Sequence, residues 1–283
     1  MTMCVRSIAT WNVNGLRARL ARVTAWLERQ RPDVVCLQET KVADEQFPRE
    51  AMEACGYRVA YHGQKAFNGV AILSREPLEQ VVVGLAPEDP QCRLLAATVG
   101  SVRVMCAYFP NGQALGTDKY EYKLRWMEQL RERLVREVAA HVEFVLCGDF
   151  NVAPEERDTH DPSYWEGNIL CSPPERQALG KLRALGLSDA LRCVHPTETI
   201  FTWWDYRALG FAKNRGLRID HIYVSDAVRD RIAAVDVDRD ERKGAQPSDH
   251  APLIMRLTPK ETALGATQEP TQSAAQRAAQ GST

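Results

Sequence analysis

Glu143-Phe144-Val145-Leu146-Cys147-Gly148-Asp149-Phe150-Asn151 decides the fold of this chain. A short apolar, β-branched run stops at a glycine and then presents an aspartate and an asparagine. Runs of this length, bounded by Gly, Pro or Asn, read as strands with polar groups collected at their ends. The same pattern recurs outward in both directions. Val102 to Phe109 runs into Pro110-Asn111-Gly112, and Val5 to Thr10 runs into Trp11-Asn12-Val13-Asn14-Gly15. Asp33 to Leu37 runs into Gln38-Glu39-Thr40, and Gly69 to Ser74 is a further run. Leu217 to Val224 contains Asp220, and Ala251 to Leu257 follows Asp249-His250.

Helical spacing lies between some of these runs. Leu16, Leu20, Val23 and Leu27 share one face of a helix over Leu16 to Arg29. Tyr120, Leu124, Met127, Leu130, Leu134 and Val138 do so over Lys119 to Ala139. A third helix is predicted over Pro174 to Leu185, closed by Gly186 as C-cap. Strands mixed with helices indicate an α/β chain. No linker interrupts the middle and no repeat is present, so residues 1–257 read as one domain. Residues 258–283 are rich in Ala, Gln, Thr, Gly and Ser, lack periodicity, and read as a disordered tail.

The 283 residues are 45% apolar and 26% charged, ordinary values for a soluble globular protein. The net charge of -1 announces no nucleic-acid partner, but binding depends on where charge sits. None of the eight cysteines forms a CxxC pair, and several lie inside apolar runs. They read as reduced and structural, which fits a cytoplasmic protein. No apolar run reaches the roughly 18 residues of a membrane helix.

The strand ends carry the chemistry. A hard cation such as Mg²⁺ takes oxygen ligands, often one or two carboxylates with phosphate and water. Glu39, Asp149 and Asp249 supply carboxylates, and Asn14 and Asn151 supply amide oxygens. His250 and Asp220 supply a base and its orienting carboxylate. Singly, each has a duller reading, because Asp and Asn also cap helices and make turns. Together they favour a metal site with a base beside it over turns and caps.

These blocks also resemble the signature of the exonuclease III family and its related abasic-site endonucleases. The similar segments are Ala9 to Ala18, Leu37-Gln38-Glu39-Thr40-Lys41, Tyr108 to Gly112 and Gly148 to Ala153. Phe201 to Arg207 with Arg215 to Asp220, and Pro247 to Pro252, complete the set in the right order. The resemblance implies a four-layer, DNase I-like fold, with two mixed sheets packed face to face and flanked by helices. It implies Glu39 as central metal ligand, with Asn14, Asp149, Asn151, Asp249 and His250 near Mg²⁺, which Mn²⁺ can replace. Asp149 would handle a proton, and His250, held by Asp220, would contact the scissile phosphate. Asn12, Tyr108 and Asn151 would bind phosphate oxygens as charge develops. The choice of general base stays open.

Six arginines stand against the single Glu28 in residues 1–31, among them Arg17, a phosphate-binding pattern. Arg207, Lys213, Arg215 and Arg218 lie beside Trp203, Trp204, Tyr206 and Phe211. The bland readings are a solvated helix face and a core aromatic cluster. By resemblance, Asn111, Arg207 and Arg215 face DNA, Trp203 and Phe211 line a pocket for an abasic sugar, and Leu217 is a wedge. The segment around His160 would decide between abasic sites and 3′ ends, and the acidic run Asp236 to Glu241 reads as a solvated loop. The expected substrate is duplex DNA with abasic sites or 3′ ends, cut by a monomer away from membranes. Competing readings are a 3′-end-only exonuclease, a phosphoesterase for lipid or inositol head groups, and a non-catalytic nucleic-acid-binding regulator.

Overall fold

The computed structural model describes residues 4–86 and 89–260. Its strands, in chain order, are β1 (Ser7–Asn12), β2 (Val34–Gln38), β3 (Arg58–His62), β4 (Val70–Ser74) and β5 (Glu79–Val83). Then come β6 (Leu94–Val99), β7 (Val102–Tyr108), β8 (Phe144–Asp149), β9 (Ser188–Asp189) and β10 (Trp203–Trp204). The last are β11 (Gly216–Leu217), β12 (Asp220–Val224), β13 (Ile232–Val237) and β14 (Leu253–Leu257). One six-stranded sheet has the order β13-β14-β1-β2-β4-β3, and the other β5-β6-β7-β8-β12-β9. β1 and β2 are parallel, as are β7 and β8, and the remaining neighbours in both sheets are antiparallel.

Alternation along the central strands sends side chains into different cores. On β2, Val34 and Cys36 join the core between the sheets, whereas Val35 and Leu37 face the helix Leu20–Gln30 through Trp26 and Leu27. On β7, Val104 and Cys106 enter the central core. Met105 and Ala107 turn the other way, to Trp126, Leu130 and Leu134 of the helix Asp118–Ala140. The helix Pro173–Arg183 adds Leu179 and Leu182 to that outer core. The result is helix, sheet, sheet, helix, the expected four layers. At roughly 25 cal/mol per Å² of apolar surface removed from water, these three cores are the main source of stability.

Gly148 sits where two neighbouring strands of one sheet come closest to its backbone. A Cβ there would lie 1.8 Å from the carbonyl oxygen of Ala107 on β7, so only glycine lets β7 and β8 approach.

The expected helices formed, with one adjustment. Arg17–Arg19 is a 3-10 turn, and the α-helix starts at Leu20. On the long helix Lys123 is buried and Leu124 only partly so, the reverse of the expected apolar face. The run Leu217 to Val224 is not one strand. It splits into β11, paired with β10, and β12, paired with β8. Thr258 to Lys260 are described, and the amide of Thr258 donates to the carbonyl of Arg231 at 2.8 Å. The rest of the expected tail lies outside the described residues. All eight cysteines carry free thiols, and Cys193 is exposed rather than packed.

Candidate active site

The two parallel pairs deliver their C-terminal ends to the same rim of the sandwich. Asn12 ends β1, Tyr108 ends β7, Asp149 ends β8, and Glu39 follows β2 directly. Asp220 opens β12 and is the register partner of Asp149. His250 bridges to Trp203 just before β14. Asn14, Glu39, Lys41 and Asn151 all have left-handed φ, at 45°, 51°, 54° and 50°. Each such non-glycine residue costs of order 1–3 kcal/mol and persists only where its surroundings enforce it.

A continuous polar chain links the two sheets. The Asn12 carboxamide donates to Glu39 Oε1 at 2.9 Å and to Asp149 Oδ2 at 2.9 Å. Tyr108 donates its hydroxyl to the same Glu39 oxygen at 2.9 Å. Asn151 Nδ2 lies 3.2 Å from Asp149 Oδ2, and its backbone amide donates to Asp149 Oδ1 at 2.9 Å. Asn111 Nδ2 donates to Asn151 Oδ1 at 2.9 Å. His250 places Nδ1 2.9 Å from Asp220 Oδ2 and Nε2 3.7 Å from Asp149 Oδ2. Asp249 accepts from Asn14 Nδ2 and Trp203 Nε1, both at 3.0 Å.

The electrostatics follow from burial and neighbours. Burial pushes the Asp149 carboxyl up to about 7, opposed by the His250 charge and reinforced by Asp220. Burial works against the His250 imidazolium, but Asp220 and Asp149 overcome it and raise the ring to about 10. Burial alone would raise Glu39. Lys41 and Asn12 instead hold it below the usual carboxylate range. Burial, then the Glu39 and Asp149 charges, keep Tyr108 a neutral phenol.

Lys41, a residue to which the motif reading gave no role, is the cation here. Its Nζ lies 2.7 Å from Glu39 Oε2 and 2.6 Å from Asn14 Oδ1. Its place, two residues past Glu39 in the same loop, was the available signal. Two residues expected to hold a metal thus converge their oxygens on a positive charge, and both donors are oxygen. Both facts fit a hard divalent ion. Asp149, Asp220 and His250 also form a compact buried group of metal-ligating side chains.

Several expected DNA contacts are placed differently. Leu217 is fully buried on β11 against Trp203, so it offers no surface for a wedge. Arg218 is equally buried and binds Asp158 Oδ1 at 2.6 Å and Asp189 Oδ2 at 2.7 Å, which removes it from the basic cluster. Trp203 and Phe211 are half-buried in separate apolar clusters, and Phe211 packs edge-on to Trp204. Arg22 and Arg29 are tied to Glu241 at 2.9 and 2.7 Å. The acidic run is only partly solvated: Asp236 and Asp240 are exposed, but Glu241 is buried and Asp238 accepts from Trp26. Arg17, Asn111, Arg207 and Arg215 are exposed. Arg215 shares an open cleft with His160, Tyr164 and Lys213. His160 is half-buried, with Nδ1 3.3 Å from the Gly216 carbonyl.

The Endonuclease/Exonuclease/phosphatase family model matches residues 9–250. Exodeoxyribonuclease III of Haemophilus influenzae is 38% identical over 258 residues, covering 86% of this chain and 97% of its own. A 3′ phosphatase from Neisseria, solved with a product DNA hairpin, is 44% identical at a TM-score of 0.88, covering 89% of this chain and 99% of its own. An AP endonuclease from Archaeoglobus fulgidus is 38% identical at a TM-score of 0.87, covering 90% of this chain and 100% of its own. No described helix is long and apolar enough to cross a membrane.

Proposed function

The chain belongs to the exonuclease III and AP endonuclease branch of the endonuclease/exonuclease/phosphatase family, and from that premise we propose that it is a magnesium-dependent DNA-repair nuclease. It hydrolyses phosphodiesters at abasic sites and at 3′ ends, removes 3′ phosphates, and works as a cytoplasmic monomer on duplex DNA. One observation carries this reading. Glu39, Asn12, Asp149, His250 and Asp220 form one hydrogen-bonded and ion-paired chain across the rim, with a cation already seated between Glu39 and Asn14.

The geometry supports the role the resemblance gives each residue. Glu39, Asn14 and Asp249, with Asp149, Asn151 and His250 alongside, are the groups that would hold Mg²⁺ or Mn²⁺. Such an ion neutralises phosphate charge and orients the reacting groups. His250, kept charged by Asp220, offers Nε2–H to the scissile phosphate. Asn12, Tyr108 and Asn151 carry donors beside it for oxygens that gain charge. Asp149, whose burial brings its affinity for a proton near neutrality, takes or gives the proton of the attacking water or leaving oxygen. Exposed Arg17, Arg207, Arg215 and Asn111 meet the DNA backbone.

The likeness to a 3′ phosphatase favours a second reading, a 3′-end enzyme without abasic-site incision. Two duplexes separate them, one with a single abasic site and one with a 3′ phosphate, each with Mg²⁺ or EDTA. Cleavage of both supports the broad activity, and cleavage of the 3′ phosphate alone supports the narrow one. No Mg²⁺-dependent cleavage of either removes both.

A further inference from the structure

Behind the polar rim a lysine is sealed in the protein. Lys123, on the helix Asp118–Ala140, has 0% exposure. Its Nζ donates to the carbonyl oxygen of Asn151 at 2.7 Å and of Asn111 at 3.3 Å, and pairs with the equally buried Glu175. An ammonium has three donors and no acceptor, so these partners use all three. Glu175 is as fully engaged. It accepts from the backbone and hydroxyl of Ser172 at 3.0 and 2.7 Å and from the Leu170 amide at 3.2 Å.

Four segments therefore meet at one charge: the loop after β7, the loop after β8, the stretch before Ser172, and the helix Pro173–Arg183. Gly112 leaves room for the lysine stem, because a Cβ there would lie 3.2 Å from Lys123 Cδ. Stability alone does not call for such a pair. Exchanging a buried ion pair for well-packed neutral groups is often neutral or stabilising. A neutral carboxamide has only two N–H donors, so it could not hold both loop carbonyls and the Glu175 carboxylate at one point as the ammonium does.

We propose that Lys123 is a positioning residue for the phosphodiester site. By anchoring the carbonyls of Asn111 and Asn151 it fixes the carboxamide pair that bears on Asp149, through the 2.9 Å contact between the two asparagines and the 3.2 Å contact to Asp149. This rests on the proposed nuclease reading of Asp149 and Asn151. Displacing a reacting group by an ångström costs on the order of 10²-fold in rate.

The test is the paired variant Lys123→Met with Glu175→Gln, which leaves no uncompensated buried charge. Thermal unfolding, kcat and KM on the 3′-phosphate duplex, and the side-chain amide resonances of Asn111 and Asn151 are compared with wild type. The expected result is a folded protein, a kcat lower by about 10²-fold, a KM within about threefold, and displaced asparagine resonances. Unfolding at the assay temperature, a kcat within about threefold of wild type, or unmoved resonances would each overturn the proposal. If wild type itself cleaves nothing, the nuclease reading fails, and the resonances alone decide the role of Lys123.

Discussion

Nδ1 of His250 lies 2.9 Å from Oδ2 of Asp220, while Nε2 points along the 3.7 Å gap to Asp149. One carboxylate thus fixes which nitrogen faces the reacting space. Asp220→Asn keeps the shape but removes the charge that holds the ring protonated. Turnover is expected to fall by about 10³-fold or more, with KM little changed, because an orienting carboxylate beside a catalytic histidine is worth about 10⁴ in comparable triads. Steady-state kinetics check it. A loss under tenfold speaks against a charged, oriented His250.

In the proposed metal site Lys41 would compete with the ion for the Glu39 and Asn14 oxygens it now holds. Lys41→Met leaves Glu39 and Asn14 without their cation, and the carboxylate then attracts an ion more strongly. The Mn²⁺ dissociation constant is expected to drop by about tenfold, since a charge near 4 Å is worth a few kcal/mol at an effective dielectric of about 20 before solvation offsets it. Electron paramagnetic resonance titration of free Mn²⁺ reads this without turnover. Weaker binding would show that Lys41 supports the ion rather than standing in for it.

Glu39→Gln removes the carboxylate that binds Lys41 and accepts from Asn12 and Tyr108. The Mg²⁺ concentration for half-maximal activity is expected to rise by about tenfold or more, as one charged oxygen ligand is lost from a hard-cation site. Activity measured against Mg²⁺ tests it, and an unchanged midpoint removes Glu39 from the metal site.

The buried group of Arg218, Asp158 and Asp189 predicts a pH effect on stability. Burial would raise both carboxyls, but Arg218 outweighs it, and both are held below the usual aspartate range. A folded-state affinity for protons below the unfolded one stabilises the protein above the unfolded value of about 4, and this is lost as pH falls through the folded values. Urea unfolding from neutral to acidic pH should therefore show stability falling below about pH 4. Asp158→Asn should flatten that fall while costing about 3–5 kcal/mol at neutral pH, because Arg218 loses a partner. An unaltered acid slope would contradict the assignment.

Much of this architecture is legible in the residues because the central strands are short apolar runs that end on polar groups. Val34–Gln38, Val102–Tyr108 and Phe144–Asp149 are covered on both faces, and their ends carry the site. The outer strands are harder to read. Glu79–Val83 is an exposed edge, and Arg58–His62 is exposed to half-buried throughout, so neither shows a clear apolar pattern. The errors share one cause. Arg218 reads as surface charge until Asp158 and Asp189, 60 and 29 positions away, are brought to it. Leu217, a wedge only by resemblance, is covered once β10 pairs with it through Trp203. Lys123 reads as the polar side of a helix until Glu175 and the carbonyls of two loops close over it. Local periodicity carries no information about partners supplied by distant segments.

The most direct test of the central claim compares wild type and Asp149→Asn on a duplex with one abasic site and on a duplex with a 3′ phosphate, each with Mg²⁺ and with EDTA. Wild type should cleave only with Mg²⁺, while Asp149→Asn should bind both duplexes and cleave neither. Near-normal cleavage by Asp149→Asn, or no Mg²⁺-dependent cleavage by wild type, would contradict the account.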